Sequence, residues 1–382
     1  MSKKILVAMS GGVDSTVAAK ILKDQGHEVV GVFLKFWHED EQTKSANECC
    51  SPQSFLDAKR VCAKINIPLY TLNYNDIFKN EVVDYFLDSY NSNKTPSPCL
   101  ICNKKVKLGQ LINYAKNLGF DYVASGHYAR LKSTNKTIKL ITAKDIKKNQ
   151  AYFLSLLTQE ELPYLLFPLG NYTKNQVRQM AKKWQLDVTE KKESQEVCFI
   201  HSSTKEFLQK NLKLKSGLIK NLQSEILGQH QGLGLYTLGQ RQGINIGGRG
   251  PYYVLKKDSL NNDLIVTNDK NDPALFSKTA TIKNINWLSG HEPKLPLKCL
   301  ARHRYQTKLE RVCIVPIVIP AELKVATTAS FNGIQKKNYK ITFKNPVRAI
   351  TPGQFIVLYK PCGILAKLKN NYEVVGAGEI EE

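Results

Sequence analysis

The first part of the chain alternates between short apolar runs and stretches of helical periodicity. Residues 4–9 form an aliphatic run of the kind carried by a strand buried on both faces. A glycine turn follows, then helical spacing over residues 16–25 that Gly26 stops. Residues 28–34 predict a second strand, 54–65 a helix, 68–72 a strand and 77–90 a helix. A loop rich in Pro and Ser covers 91–101, and 104–118 and 122–125 predict a further helix and a short strand. This alternation predicts an α/β fold, a parallel sheet covered by helices, with ligands beyond the carboxyl ends of its strands.

Past residue 200 the pattern changes. Residues 204–212 predict one more helix, and glycines crowd the stretch 228–250. Short alternating runs at 280–285, 297–304, 311–318, 323–329, 339–343, 354–359 and 373–379 then predict a small barrel or sandwich. The division expected is a catalytic domain at 1–203, a small central Gly-rich domain at 204–274 and a C-terminal β-barrel at 275–382.

Composition narrows the class. The 382 residues include 55 basic and 33 acidic side chains, a net charge of +22 that favours a polyanionic partner such as nucleic acid. No apolar stretch is long enough for a transmembrane helix, and the N-terminus does not read as a signal peptide. A cytoplasmic protein with no membrane partner is therefore expected, with a monomer as the default. The nine cysteines are odd in number, which argues against a secreted disulfide scaffold. Cys62, Cys299 and Cys313 sit in apolar patterns and read as core fillers, while Cys49 and Cys50 are spaced wrongly for a zinc knuckle.

Three segments carry candidate chemistry. Ser10-Gly11-Gly12-Val13-Asp14-Ser15 lies between the first strand and the first helix. Its glycines allow close backbone approach to a phosphate, and the helix N-terminus adds amide donors and positive dipole. It lacks the Gly-Lys-Ser/Thr ending of a Walker loop. In the second segment, Thr95-Pro96-Ser97-Pro98-Cys99-Leu100-Ile101-Cys102-Asn103-Lys104, prolines stiffen the chain. Asn103 is the expected N-cap of the next helix, which would set Cys102 at a helix N-terminus among Lys104, Lys105 and Lys107 and favour its thiolate. The third, Glu193-Ser194-Gln195-Glu196-Val197-Cys198-Phe199-Ile200, reads by itself as a buried cysteine.

The hexapeptide resembles the pyrophosphate loop of the N-type ATP pyrophosphatases. With the Cys-Asn-Lys loop it precedes Ser125-Gly126-His127-Tyr128-Ala129-Arg130, Cys198-Phe199-Ile200, Tyr236-Thr237-Leu238-Gly239-Gln240-Arg241-Gln242-Gly243, Asn286-Trp287 and Pro352-Gly353-Gln354. In that order, over nearly the whole chain, these segments resemble the tRNA-specific 2-thiouridylases, which thiolate the wobble uridine of certain tRNAs. The resemblance implies an ATP-using sulfurtransferase that releases AMP and pyrophosphate. Ala8, Met9 and the loop Ser10, Gly11, Gly12, Val13, Asp14 and Ser15 would bind ATP with Mg²⁺, and Leu34 and Gly126 would contact its adenosine. Cys102 would be the nucleophile and Cys198 the persulfide carrier, pairing in a transient disulfide. Ser97, Pro98, Cys99 and His127 would lie near the target base, and Lys148, Asn149, Gln150, Arg302, His303, Arg304 and Gln354 would contact the tRNA anticodon arm. A sulfur-donor or relay protein is the further partner implied. One position departs: some members carry an Asp three residues before the nucleophile, as general acid or base, where this chain has Cys99. Cys99, Cys102 and Cys198 then make a set with which some related tRNA-thiolating enzymes hold an iron–sulfur cluster, the less favoured reading. A small-molecule synthetase with the same loop is the other alternative.

Overall fold

A computed structural model describes residues 1–39, 51–134, 137–186, 197–244, 246–247, 250–317, 337–363, 366 and 370–381. The first domain runs β1 (Lys4–Ala8), α1 (Val13–Asp24), β2 (Glu28–Lys35), α2 (Pro52–Lys64), β3 (Leu69–Asn73), α3 (Asn75–Phe78), α4 (Asp84–Asn91), α5 (Pro98–Ile101) and α6 (Gly109–Asn117). It continues with β4 (Tyr122–Ala124), β5 (Ala129–Ser133), β6 (Ile138–Thr142), β7 (Leu165–Leu166) and α7 (Lys174–Lys183). A five-stranded parallel sheet has the order β3-β2-β1-β4-β7. The chain moves outward from β1 to β3, then returns to the other side of β1 as β4. That reversal opens a crevice at the carboxyl ends of β1 and β4.

Strand alternation divides the aliphatic runs between two faces. Ile5, Val7, Val29 and Phe33 pack with α1, α2 and α7. Leu6, Ala8, Val32 and Leu34 face the other way, into a core that also holds Phe86, Leu111 and Ile112. Local signals fix the helix starts. Ser51 caps α2 by accepting from Ser54 N–H with Pro52 in the first turn, and Thr173 and Gln176 form a capping box on α7.

α8 (Thr204–Asn211) leads into β8 (Gly217–Lys220), β9 (Ile226–His230), β10 (Tyr253–Asp258) and β11 (Asp263–Thr267), a small sheet in the order β10-β11-β8-β9. The last domain holds β12 (Phe276–Trp287), β13 (Leu297–Arg302), β14 (Glu310–Pro316), β15 (Asn338–Arg348), β16 (Phe355–Pro361) and β17 (Tyr372–Ile380). Pairing of β12 with both β15 and β17 closes these six strands into an antiparallel barrel, which removes exposed edges. The barrel rather than the sandwich is the form adopted.

Some expectations fall outside the structure and others are corrected by it. The strand predicted at 323–329, the pair Cys49 and Cys50, and residues 193–196 lie outside the described residues. The hairpin β5–β6 and helix α7 have no counterpart in the elements predicted above. β6 pairs with β17 through Ile141 and Glu373, so a hairpin of the first domain extends the barrel sheet. Lys139 meets Glu373 at 2.7 Å, and Arg130 reaches Asn371 Oδ1 at 3.1 Å. Asn103 is not an N-cap. The helix starts at Pro98, because proline needs no N–H at a first helical position and drives the preceding Ser97 out of the helical region. Wide π-type turns at Cys102–Lys107 and Lys79–Val83 then carry the chain into α6 and α4. Asn103 lies inside, its amide donating to Phe153 O at 3.2 Å.

Candidate nucleotide and thiol site

The loop after β1 is organised by its own residues. Ser10 N–H donates to Ser15 Oγ at 3.2 Å, and Ser15 Oγ donates to Gly12 O at 3.1 Å. Thr16 Oγ1 donates to the same carbonyl at 2.9 Å. Gly11 has φ +68°, and a Cβ there would lie 2.1 Å from Ser54 O of α2, so only glycine fits. A Cβ on Gly126, just past β4, would lie 2.7 Å from Ser15 N. The turn after β4 is thus seated against the N-terminus of α1. Leu34 stands at the carboxyl end of β2. The residues expected to hold ATP therefore gather at the carboxyl ends of β1, β2 and β4, where the topology places the crevice.

Asp14 puts a carboxylate in the first turn of α1, and three bonds hold it. Tyr128 OH donates to Oδ1 at 2.7 Å, and Lys174 Nζ donates to Oδ1 at 2.9 Å and Oδ2 at 2.7 Å. Only 7% of the Lys174 side chain is exposed. Lys174 opens α7, and its own N–H donates to Asp145 Oδ2 at 2.8 Å. The loop lacks a Walker lysine, and a cation reaches it instead from α7. The reading of the sequence missed Lys174, although Thr173 and Gln176 at capping-box spacing were a visible signal of the helix.

Cys102 and Cys198 are both half-buried and pack against one hydrophobic cluster, with Ile101 and Val197 beside them. Cys99 is exposed. Two of the three lysines expected to favour the Cys102 thiolate are engaged elsewhere. Lys104 Nζ meets Glu161 at 2.7 Å and Lys105 pairs with Glu81. Lys107 bears on His127, whose imidazole burial holds well below its ordinary value, so the ring is neutral near physiological pH. Its Nδ1 lies 2.8 Å from Ser125 Oγ. Cys62 and Cys299 behave as fillers, their thiols pushed up to about 12 by burial. Among the described residues no three His, Cys, Asp or Glu side chains come together as metal ligands, Cys99, Cys102 and Cys198 included.

Most residues expected on the tRNA surface turn inward. Asn149 is buried and accepts from Ala143 N–H and Ala151 N–H at 3.1 and 3.3 Å. Gln150 Oε1 accepts from Tyr128 N–H at 2.9 Å. His303 is buried, and Arg304 donates to Leu238 O at 3.3 Å and to Thr351, tying barrel to central domain. Gln354 Nε2 donates to Thr95 O at 2.9 Å and Pro96 O at 3.1 Å, bracing the thiol loop. Lys148 and Arg302 are half-buried, Arg302 lying 5.9 Å from the Tyr359 ring centroid.

A parallel α/β domain with a phosphate loop at its switch point, joined to two β domains, is a nucleotide-binding class. Comparison with known proteins narrows it. Residues 3–202 match the family model described as a tRNA methyl transferase HUP domain. Residues 205–268 match a tRNA methyl transferase PRC-barrel domain, and 277–380 an aminomethyltransferase beta-barrel domain. The chain is 40% identical to the tRNA-specific 2-thiouridylase MnmA of Legionella pneumophila strain Lens, covering 94% of this chain and 96% of that one. It is 39% identical to a tRNA-specific 2-thiouridylase of Geobacillus kaustophilus, covering 94% and 92%. With that of Clostridioides difficile it shares 38% identity, covering 100% and 99%. The chain belongs to the tRNA-specific 2-thiouridylase family.

Proposed function

We propose that this chain is a tRNA-uridine 2-sulfurtransferase acting in the cytoplasm on the wobble uridine. The carrying observation is that two cysteines far apart in sequence, Cys102 and Cys198, pack against one cluster in the domain whose sheet presents the phosphate loop. ATP lies against Ser10, Gly11, Gly12 and Ser15, its phosphates facing the first amides of α1, with Leu34 and Gly126 toward the adenosine. Lys174 offsets the Asp14 charge that would otherwise oppose a polyphosphate. A magnesium ion carried on the nucleotide would be held chiefly by the phosphates, which it would draw together, since both Asp14 oxygens are taken up by Lys174.

The uridine 2-oxygen attacks the α-phosphorus and pyrophosphate leaves, so a poor leaving oxygen becomes part of AMP. The terminal sulfur of a Cys198 persulfide bonds to the activated carbon and AMP departs. The Cys102 thiolate then attacks the Cys198 sulfur, the persulfide S–S bond breaks, and its electron pair stays on the sulfur left on the base. Two thiols are oxidised to a disulfide as the transferred sulfur is reduced, and an external thiol must reopen that disulfide. His127, neutral and buried, can orient the base without adding charge. The target base must leave its stack to be reached, and the net charge of +22 supplies phosphate attraction for the anticodon arm. A separate persulfide-bearing protein loads Cys198. Methyl transfer, the term in two of the domain descriptions, would leave the pyrophosphate loop and both thiols without a role. Mass spectrometry of nucleosides from tRNA incubated with the protein, ATP and a sulfur source tests the reading. 2-Thiouridine is expected, and its absence would sink it.

A further inference from the structure

Between the end of α4 and the start of α5, residues 92–97 form a strap that leads directly into the thiol loop. Three bonds tie it to the end of α4, from Ser92 N–H to Asp88 O at 3.0 Å, from Asn93 N–H to Tyr90 O at 3.0 Å and from Lys94 N–H to Ser89 O at 2.8 Å. Further bonds reach it from the two other domains. From the central domain, Lys257 Nζ donates to Asn93 O at 2.9 Å and Ser259 Oγ accepts from Asn93 Nδ2 at 3.1 Å. The Thr237 and Thr95 hydroxyls meet at 3.1 Å. From the barrel, Pro352 O accepts from Thr95 N–H at 2.9 Å, and the Gln354 amide spans Thr95 O and Pro96 O. Gly353 has φ +87°, and a Cβ there would lie 2.9 Å from Thr95 O, so the barrel approaches this closely only because the residue is glycine.

Lys257 is the unusual member. It is largely buried, and burial lowers its ammonium to about 8. Among the described residues no carboxylate pairs with it; its partner is a backbone carbonyl. A methionine would fill similar space without the desolvation cost, so what the ammonium adds is a donor aimed at the strap. Beyond the strap the chain is stiff. Pro96 and Pro98 fix their own φ, and Leu100 is fully buried. A displacement at residues 93–96 is therefore carried to Cys99 and Cys102 rather than absorbed between them.

We propose that Lys257 and Thr237 are positioning residues for sulfur transfer. The central domain's part in the reaction is to fix, together with Gln354, the strap that presents Cys99 and Cys102. This rests on the reading of Cys102 as the reacting thiol.

Full-length Lys257→Met, Thr237→Val and Thr237→Ser test it against wild type. The expected drop in kcat for thiolation is about ten-fold for Lys257→Met and about three-fold for Thr237→Val, since small misplacements near reacting atoms are costly. Kd for ATP and for tRNA should stay within about two-fold, and Thr237→Ser, which keeps the hydroxyl, should recover the wild-type kcat. Unchanged kcat in both variants would overturn the proposal. So would a parallel loss of ATP affinity, the mark of a merely structural role. If Lys257→Met does not fold, the Thr237 pair decides alone. Full thiolation by Cys102→Ser would instead strike the underlying reading and leave the strap's geometry untouched.

Discussion

Residues 10–15, which run into α1, and residues 93–96, which run into the thiol loop, are held differently. Ser10, Gly12 and Ser15 bond one another across at most five positions of sequence, and the loop's other supports, Tyr128 and Lys174 on Asp14 and the close approach to Ser54 and Gly126, lie in the same domain. The strap is bonded across separations of 142, 164 and 259 positions, to two domains that follow it in the chain. A phosphate loop can therefore form as soon as the first sheet does. The thiol loop reaches its geometry only when all three domains are docked. ATP binding should thus survive damage to the β domains that sulfur transfer does not survive.

The largest effects come from the thiols themselves. Cys102→Ser and Cys198→Ser should each abolish 2-thiouridine formation while both still adenylate tRNA. Only Cys198→Ser should fail to take radioactive sulfur from a persulfide donor; label retained on that variant would overturn the carrier assignment. Next come two glycines that separate the regions. Gly11→Ala drives a Cβ into Ser54 O and should abolish ATP binding while tRNA binding persists in a filter assay. Gly353→Ala drives one toward Thr95 O and should lower thiolation with ATP affinity intact. Each costs on the order of 1–3 kcal/mol in backbone strain before any clash is counted. Equal losses of both activities in either variant would erase the distinction drawn here.

Lys174→Met should weaken ATP binding by about ten-fold, near 1.4 kcal/mol, because it leaves the Asp14 carboxylate uncompensated beside the phosphates. Lys174→Arg should recover part of that loss. Calorimetric titration with ATP reads the effect directly, and unchanged affinity would mean that the pair serves the fold alone.

The same contrast explains what the sequence revealed. The loop at residues 10–15 was legible with its strand and helix because glycine spacing, hydrophobic period and the first turn of α1 are all local. So were the candidate thiols, as residues. Their supports were not. Nothing near Gln354 or Lys257 in the sequence says that their partners are Thr95 and Asn93, so the bracing role of neither is legible there. Asn149, Gln150, His303 and Arg304 are expected against the tRNA, and the fold gives each an internal place that no local pattern signals, bonded to a backbone group or buried. The hairpin β5–β6 is a short pair whose stability comes from β17, a strand it meets only in the folded barrel.

A pH titration isolates the single desolvated ammonium that grips the strap. Burial pulls the Lys257 ammonium from its ordinary 10.5 to about 8, so the folded chain gives up this proton at lower pH than the unfolded chain. Below about pH 8 both states hold the proton and the folded state bears the full desolvation penalty; between there and the unfolded value the unfolded chain binds more protons, so stability rises with pH. Other groups titrate in the same range, and comparison with Lys257→Met cancels them. Raising the pH from about 8 to about 10 should favour wild type over Lys257→Met by roughly 2 kcal/mol in urea unfolding. The bond to Asn93 O does not oppose this gain, since a neutral amine still donates to it. A difference that stays flat across this window would mean that Lys257 is solvated in the folded protein, and the grip of the central domain on the strap would then rest on Thr237 and Ser259.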